Sequence, residues 1–343
     1  MRKILIAGPS WVGDMVMAQS LFMSLKNAGA CEIDVLAPAW SLPILARMPE
    51  VRRGVVMPME HGQLGLGARW RLGRELALEH YDQAIVLPGS FKSALAPFFA
   101  GIAQRTGFRG EMRYGLLNDI RPLIRALLPM TVERFVALGL PRGTEPVILS
   151  FPRPRLQADA ANQTALRARF RLDAARPSIA FMPGAEYGPA KQWPPACYAG
   201  LVRQLAARGF QIWILGSKKD SEAARLIVDG NTDAAATIVD LTGLTGLGDA
   251  VDLLALARAA VTNDSGLMHV AAALDVPLVA IFGSSSPEHT PPLARRIAIE
   301  SLNLSCAPCF KRRCPLGHTR CLTGITPASV FAALERLIGE ERR

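Results

Sequence analysis

Apolar residues occur along this chain in short blocks separated by longer amphipathic stretches. Residues 3–8 (Lys-Ile-Leu-Ile-Ala-Gly) form a continuous apolar run, which predicts a strand buried on both faces. Residues 14–28 then place Met15, Ala18, Leu21, Phe22 and Leu25 at helical spacing. The same alternation continues with a strand at 32–37, a helix around 41–48 and a strand around 54–57. A charged helix over 68–79, a strand at 81–87 and a helix over 91–100 follow. Strand and helix in turn predict an α/β fold with a parallel sheet covered on both faces.

The rhythm breaks at 141–160, where Pro141, Pro146, Pro152 and Pro154 mark a connection. It restarts with strands at 178–182, 211–216, 236–240, 260–262 and 277–282. Helices are expected at 195–208, 219–229, 248–258 and 265–274, and an amphipathic helix at 327–339. With 343 residues, half of them hydrophobic, two domains with separate cores are expected. The boundaries fall at 1–155 and 156–325, with 326–343 as a C-terminal helix able to pack back toward the first domain. No stretch reaches the ~18–20 uninterrupted apolar residues of a membrane span, and the short run after Met1 reads as a strand rather than a signal peptide. A cytoplasmic protein is expected.

Two loops carry the sharpest chemistry. Gly8-Pro-Ser-Trp-Val-Gly-Asp14 follows the first strand and is neither a Walker A loop nor a Gly-x-Gly-x-x-Gly fingerprint. Its Gly13 permits close backbone approach. Its Asp14 is either a helix cap or a general base. Thr262-Asn-Asp-Ser-Gly-Leu-Met-His269 opens a helix whose free N–H groups suit a phosphate. There Ser265 adds a hydroxyl, Gly266 allows close approach and His269 follows one turn later. Asp264, which a pyrophosphate would repel, is expected to face sugar hydroxyls or backbone N–H groups. The loop 183–193 holds Gly184, Gly188 and Lys191, a point charge for a phosphate or an ordinary solvated lysine. Asp220 and Glu222 follow another strand, where a carboxylate accepts from ribose hydroxyls or favours a helix N-terminus.

A net charge of +10 admits anionic partners. Aromatic residues are only 6%, with no aromatic-interleaved basic stripe, which argues against single-stranded nucleic acid. Lys92, Arg105, Arg109, Arg113, Arg121 and Arg125 concentrate charge in the first half, either as an acceptor-phosphate site or as a solvated face. Cys31 and Cys197 sit in apolar stretches. Cys306, Cys309, Cys314 and Cys321 cluster with His318, as a zinc site or as thiols or labile disulfides, and Lys311, Arg312 and Arg313 lie inside that segment.

These motifs resemble the ADP-heptose glycosyltransferases of lipopolysaccharide synthesis, in matching order over nearly the whole chain. The 262–271 motif marks the wider family. The stretches 8–14, 91–119 and 183–194 point to the branch acting on the first heptose of the inner core. The resemblance implies a GT-B architecture of two Rossmann-like, doubly wound domains facing across a cleft. It implies inverting transfer of L-glycero-D-manno-heptose from ADP-heptose to heptosyl-Kdo2-lipid A, with no obligatory metal or cofactor and no nucleic-acid partner. Asp14 becomes the base and Lys191 the phosphate contact. Ser10, Gly13, Gly184, Asp220, Glu222, Asp264, Ser265, Gly266 and His269 fall on the donor side. Lys92, Arg105, Arg109 and Arg113 fall on the acceptor side. The lipid-linked acceptor implies peripheral contact with the anionic inner membrane. A family transferase with another acceptor, an epimerase of nucleotide sugars and a non-catalytic phosphosaccharide-binding module are the rival expectations.

Overall fold

The computed structural model describes residues 1–59, 62–145 and 150–339. Pro146 of the connecting segment lies outside the described residues, as do residues 340–343. The chain divides into two compact units, Met1–Arg155 and Leu156–Arg343.

The first unit runs β1 (Arg2–Ala7), α1 (Val12–Ala28), β2 (Cys31–Ala37), α2 (Leu42–Leu45), β3 (Val51–Val56), α3 (Leu66–Ala77) and β4 (Gln83–Val86). It continues with α4 (Leu95–Phe99), β5 (Gln104–Phe108), β6 (Asp119–Arg121) and α5 (Thr131–Gly139). Its strands lie in the order β3-β2-β1-β4-β5-β6, all parallel.

The second unit runs α6 (Ala160–Phe170), β7 (Ser178–Met182), α7 (Pro195–Ala206), β8 (Gln211–Ile214), α8 (Ser221–Asp229), β9 (Ile238–Asp240) and α9 (Leu247–Leu256). Then come β10 (Ala259–Asn263), α10 (Gly266–Ala273), β11 (Leu278–Phe282), β12 (Ile297–Ser301), α11 (Arg320–Thr323) and α12 (Pro327–Gly339). The order β12-β11-β10-β7-β8-β9, again all parallel, is the same permutation as in the first unit. In each sheet the winding reverses beside the first strand, between β1 and β4 and between β7 and β10. Open α/β sheets bind ligands beyond the carboxyl ends of the strands at such a reversal.

The central strands are legible in sequence because both faces are covered. Every residue of β7, β10 and β11 is buried. α12 closes the second core with Val330, Ala333, Leu334 and Leu337, packed among Ile179, Ile281 and Leu201. Elsewhere the structure departs from the pattern. β5 and β6 read as a basic tract because their buried side chains are polar: Thr106 on β5 accepts from Gln83 of β4 (2.8 Å) and donates to Asp119 on β6 (2.9 Å), which also takes Arg121 (2.8 Å). α6 follows the proline-rich connection in a stretch where no element was expected, because Leu166 is its one buried residue. β12 is a half-exposed edge strand that the apolar pattern misses. α1 begins two residues earlier than expected, so Trp11 is its N-cap and Asp14 sits within its first turn.

The first unit is pinned by one buried carboxylate. Asp34 on β2 is 1% exposed and accepts from Arg52 Nη2 (2.6 Å), Arg53 Nε (3.0 Å) and Tyr81 OH (2.5 Å). Burial alone raises the carboxyl pKa, but hydrogen bonds from Arg52 and Tyr81 and the charges of Arg52 and Arg53 outweigh it and hold it below its ordinary value. Removing Asp34 leaves the buried Tyr81 hydroxyl without its acceptor, while Arg52 and Arg53, 35% and 46% exposed, lose their counter-ion but stay solvated. Asp34→Ala is therefore expected to lower the unfolding free energy by about 2 kcal/mol, read from urea denaturation at neutral pH. The depressed pKa gives the sign with pH: the contribution is full above the ordinary carboxylate range and vanishes as acid takes the pH below it. The wild-type advantage over Asp34→Ala should shrink on acidification; an advantage that grows would contradict the assignment.

Candidate functional site

In the second unit, the loops after β7 and β10 meet at the sheet's reversal. Asn263, the last residue of β10, is fully buried and organises the first of these loops. Its Oδ1 accepts the Trp193 backbone N–H (3.0 Å) and the Tyr198 hydroxyl (3.2 Å), and its Nδ2 donates to the Pro183 carbonyl (2.6 Å). Both ends of the 183–193 loop are thus tied to one amide. The next residue, Asp264, is 5% exposed and takes the Lys191 ammonium (2.5 Å) and the Ser285 hydroxyl (2.5 Å) on the same Oδ2. Asp264 therefore holds Lys191 through one oxygen, a partner the sequence reading did not assign to it. Ser265 follows as the N-cap of α10, with no side-chain capping bond, and Gly266 opens the helix. The free N–H groups of that turn and the Lys191 ammonium belong to one cluster.

His269 is 6% exposed. Burial pushes its pKa down to about 4, which the charge of Asp264 opposes and that of Lys191 reinforces. The imidazole is neutral at physiological pH, so its contribution to an anion is a hydrogen bond and not a charge.

The loop after β8 joins the same cluster. Asp220 Oδ2 accepts the Ser217 backbone N–H (2.8 Å) and hydroxyl (2.8 Å), so this carboxylate performs the capping role. It abuts Gly184, where a Cβ would overlap the Asp220 carboxylate. Glu222 is exposed in the first turn of α8. Gly188 sits at φ 148°, a backbone region that favours glycine. Ser285 and Tyr187 are site residues that the sequence reading missed. Ser285 has a visible signal, the run Gly283-Ser-Ser-Ser286 immediately after the apolar β11.

In the first unit, Ser10, Gly13 and Asp14 follow β1, and Lys92 follows β4, at the corresponding reversal. Ser10 is exposed, Asp14 is half-buried and Gly13 is buried. The four basic residues expected at an acceptor do not form one patch. Arg113 is fully buried, and its guanidinium donates to the carbonyls of Pro88 (2.7 Å) and Phe108. Burial lowers its pKa to about 10. It is a structural brace, which corrects its placement among acceptor contacts. Arg105 is half-buried and donates to the carbonyls of Leu116 (2.6 Å) and Ile102 (2.5 Å). Lys92 is half-buried and Arg109 is exposed.

Cys306, Cys309, Cys314 and Cys321 line a cavity of about 20 Å³ together with His318. All are free thiols. Among the described residues no three Cys, His, Asp or Glu side chains stand at metal-binding spacing. A larger cavity of about 370 Å³ opens at the opposite, amino ends of the strands, beside Ser178, Arg258 and Pro277, away from the loop cluster.

A family model described as glycosyltransferase family 9 (heptosyltransferase) matches residues 69–320. Lipopolysaccharide heptosyltransferase 2 of Salmonella typhimurium is 48% identical over 345 residues, covering 99% of this chain and 99% of that protein. Its Escherichia coli counterpart shows the same identity and coverage. The solved structure of the E. coli ADP-heptose lps heptosyltransferase II aligns with a TM-score of 0.90 at 45% identity, over 100% of both chains. A glycosyl transferase family 9 structure from Veillonella parvula shares the fold, with a TM-score of 0.85 at 18% identity over 99% of this chain and 98% of that one.

Two outcomes are expected of the site's internal chemistry. Asn263→Ala leaves the buried Trp193 N–H and Pro183 carbonyl without this amide and the Tyr198 hydroxyl with only the longer bond to the Met182 carbonyl, and should lower the unfolding free energy by about 2 kcal/mol, measured by urea titration. Unfolding exposes His269, whose pKa then returns from about 4 toward 6.5. The unfolded chain binds the extra proton between those values, so stability is full above pH 6.5 and falls as the pH drops toward 4. His269→Asn should show a shallower loss over that window in parallel denaturation series; an equal loss would mean that His269 is not the titrating group.

Proposed function

This chain belongs to glycosyltransferase family 9, the heptosyltransferases, and we propose that it moves L-glycero-D-manno-heptose from ADP-heptose to the first heptose of the lipopolysaccharide inner core, on heptosyl-Kdo2-lipid A. The observation that carries the donor half of this reading is the union of Lys191, Asp264, Ser285 and the α10 N-terminus at the sheet reversal of the second unit. The near-complete likeness to proteins named lipopolysaccharide heptosyltransferase 2 supports the acceptor half.

The reaction breaks the bond between the anomeric carbon and the diphosphate while an acceptor hydroxyl attacks from the opposite face, with inversion. Asp14 accepts the proton of that hydroxyl. Its place in the first turn of a helix, directly after β1, supports this role. Negative charge grows on the departing ADP and is met by the Lys191 ammonium and the N–H groups of Ser265 and Gly266. Asp264 orients Lys191 and leaves the two remaining ammonium protons for phosphate oxygens. Neutral His269 offers a hydrogen bond. Asp220, with one oxygen engaged on Ser217, and Glu222 remain the acidic groups for the ribose. This arrangement works without an obligatory metal.

Among the described residues no helix is long and apolar enough to cross a membrane. In this reading the enzyme works on the cytoplasmic side and meets the inner membrane peripherally, with its +10 net charge attracting anionic lipids.

ADP release from ADP-heptose, with and without heptosyl-Kdo2-lipid A, tests the proposal. Wild type should release ADP only with acceptor. Asp14→Ala should lose about 10²–10⁴-fold of that rate while binding ADP normally, and Lys191→Ala should lose both ADP affinity and rate. Acceptor-independent release would redirect the reading to an epimerase or hydrolase, and near-normal turnover by Asp14→Ala would remove the base.

A further inference from the structure

Residues 302–319, between β12 and α11, contain no strand or helix, yet the tip of this segment is fastened to the donor loop. The Ala190 backbone N–H donates to the Arg312 carbonyl (3.1 Å). The Phe310 N–H donates to the Ser284 carbonyl (2.7 Å), next to Ser285. The Tyr187 hydroxyl donates to the Phe310 carbonyl (2.8 Å). Gly188 completes the fit, since a Cβ there would fall 2.7 Å from the Arg312 carbonyl oxygen. Close approach of two backbones requires the glycine.

This clamp delivers a second cation to the site. The Arg312 guanidinium lies 5.3 Å from the centre of the Tyr187 ring, and the Lys191 ammonium lies 5.1 Å from the same centre. The two cations share one aromatic platform. Their charge balance differs. Lys191 is paired with Asp264 at 2.5 Å, so that pair brings little net charge to an incoming anion. Arg312 is exposed, and among the described residues no carboxylate pairs with it. A nucleoside diphosphate carries more negative charge than one balanced lysine can answer. A guanidinium, with its planar fork of donors, suits the non-bridging oxygens of a phosphate.

We propose that Arg312 binds the diphosphate of the donor, with Tyr187 as the platform that positions it beside Lys191. This rests on the donor reading above. It gives the cysteine-bearing segment a function that needs no change in its thiols: it holds Arg312 at the phosphate subsite.

Calorimetric titration of the full chain with ADP and with adenosine separates the two claims. Wild type should bind ADP. Arg312→Ala should bind ADP about tenfold more weakly, with unchanged adenosine affinity and a shallower dependence on salt. Arg312→Lys should recover part of the loss, and Lys311→Ala should match wild type. The clamp is made by backbone carbonyls and the side chain is exposed, so the melting temperature of Arg312→Ala should stay at the wild-type value. Wild-type ADP binding with no loss in Arg312→Ala overturns the assignment of Arg312 and leaves the donor reading standing. A wild type that binds no ADP overturns the donor reading and this proposal with it. An equal loss for ADP and adenosine also overturns it, because a phosphate contact acts on ADP alone.

Discussion

The second unit depends on what the end of β10 does with two consecutive polar residues. Asn263 and Asp264 arrive at the sheet reversal without solvent, so each must find partners. Asn263 finds them in the backbone of the 183–193 loop, and Asp264 finds them in Lys191 and Ser285. The loop conformation, the aim of Lys191 and the fit of Gly184 against Asp220 follow from those partnerships. A buried ion pair is weak evidence for stability, because desolvation opposes the attraction of its charges. An apolar pair of similar volume would serve the fold equally well. What such a pair would not supply is an ammonium held at the N-terminus of α10. The pair is better understood as preorganisation for an anion than as reinforcement of the core.

Two identical windings lie in one chain, and in both there are residues of interest after the first and fourth strands, joined in the second unit by Asp220 after β8 and Ser285 after β11. The sequence carried this well, because a parallel strand covered on both faces reads as an unbroken apolar run with a loop at its carboxyl end. Gly8 to Asp14, 183–193 and 262–269 were visible for that reason. β5 and β6 were not. Their interior is a chain of polar hydrogen bonds from Gln83 through Thr106 to Asp119, which leaves no apolar run. Ser285 was missed because serine after a strand is common, and its role appears only once Asp264 is known to be buried. Tyr187 and Arg312 are 125 positions apart in sequence, and nothing in spacing links them.

Charge was the least legible property. The first half concentrates arginine, and an arginine cluster in a sequence suggests a phosphate. In the folded unit Arg113 and Arg105 turn inward and donate to carbonyls that no strand or helix satisfies. Arg69 likewise turns inward and donates to the carbonyls of Leu64 and Lys92, the second of which also takes the Leu95 backbone N–H. A guanidinium has five donors and no acceptors, so it suits irregular backbone that offers several carbonyls at once. Formal charge therefore overstates the positive surface available to a ligand.

The same distinction applies to the cations of the second unit. Lys191 is legible in sequence and is neutralised in place, and His269 is legible and uncharged. Arg312, embedded in the cysteine-bearing segment, is an exposed cation beside Lys191 whose charge no described carboxylate balances. On the proposed donor reading, a site that binds a diphosphate and later releases it gains from this division. The balanced lysine fixes geometry without holding the product tightly. The exposed arginine, on an aromatic platform and in reach of water, supplies attraction that salt screens. A donor pocket lined by two unbalanced buried cations would bind ADP more strongly and release it more slowly, and burying those cations without a ligand would cost more than the fold gains.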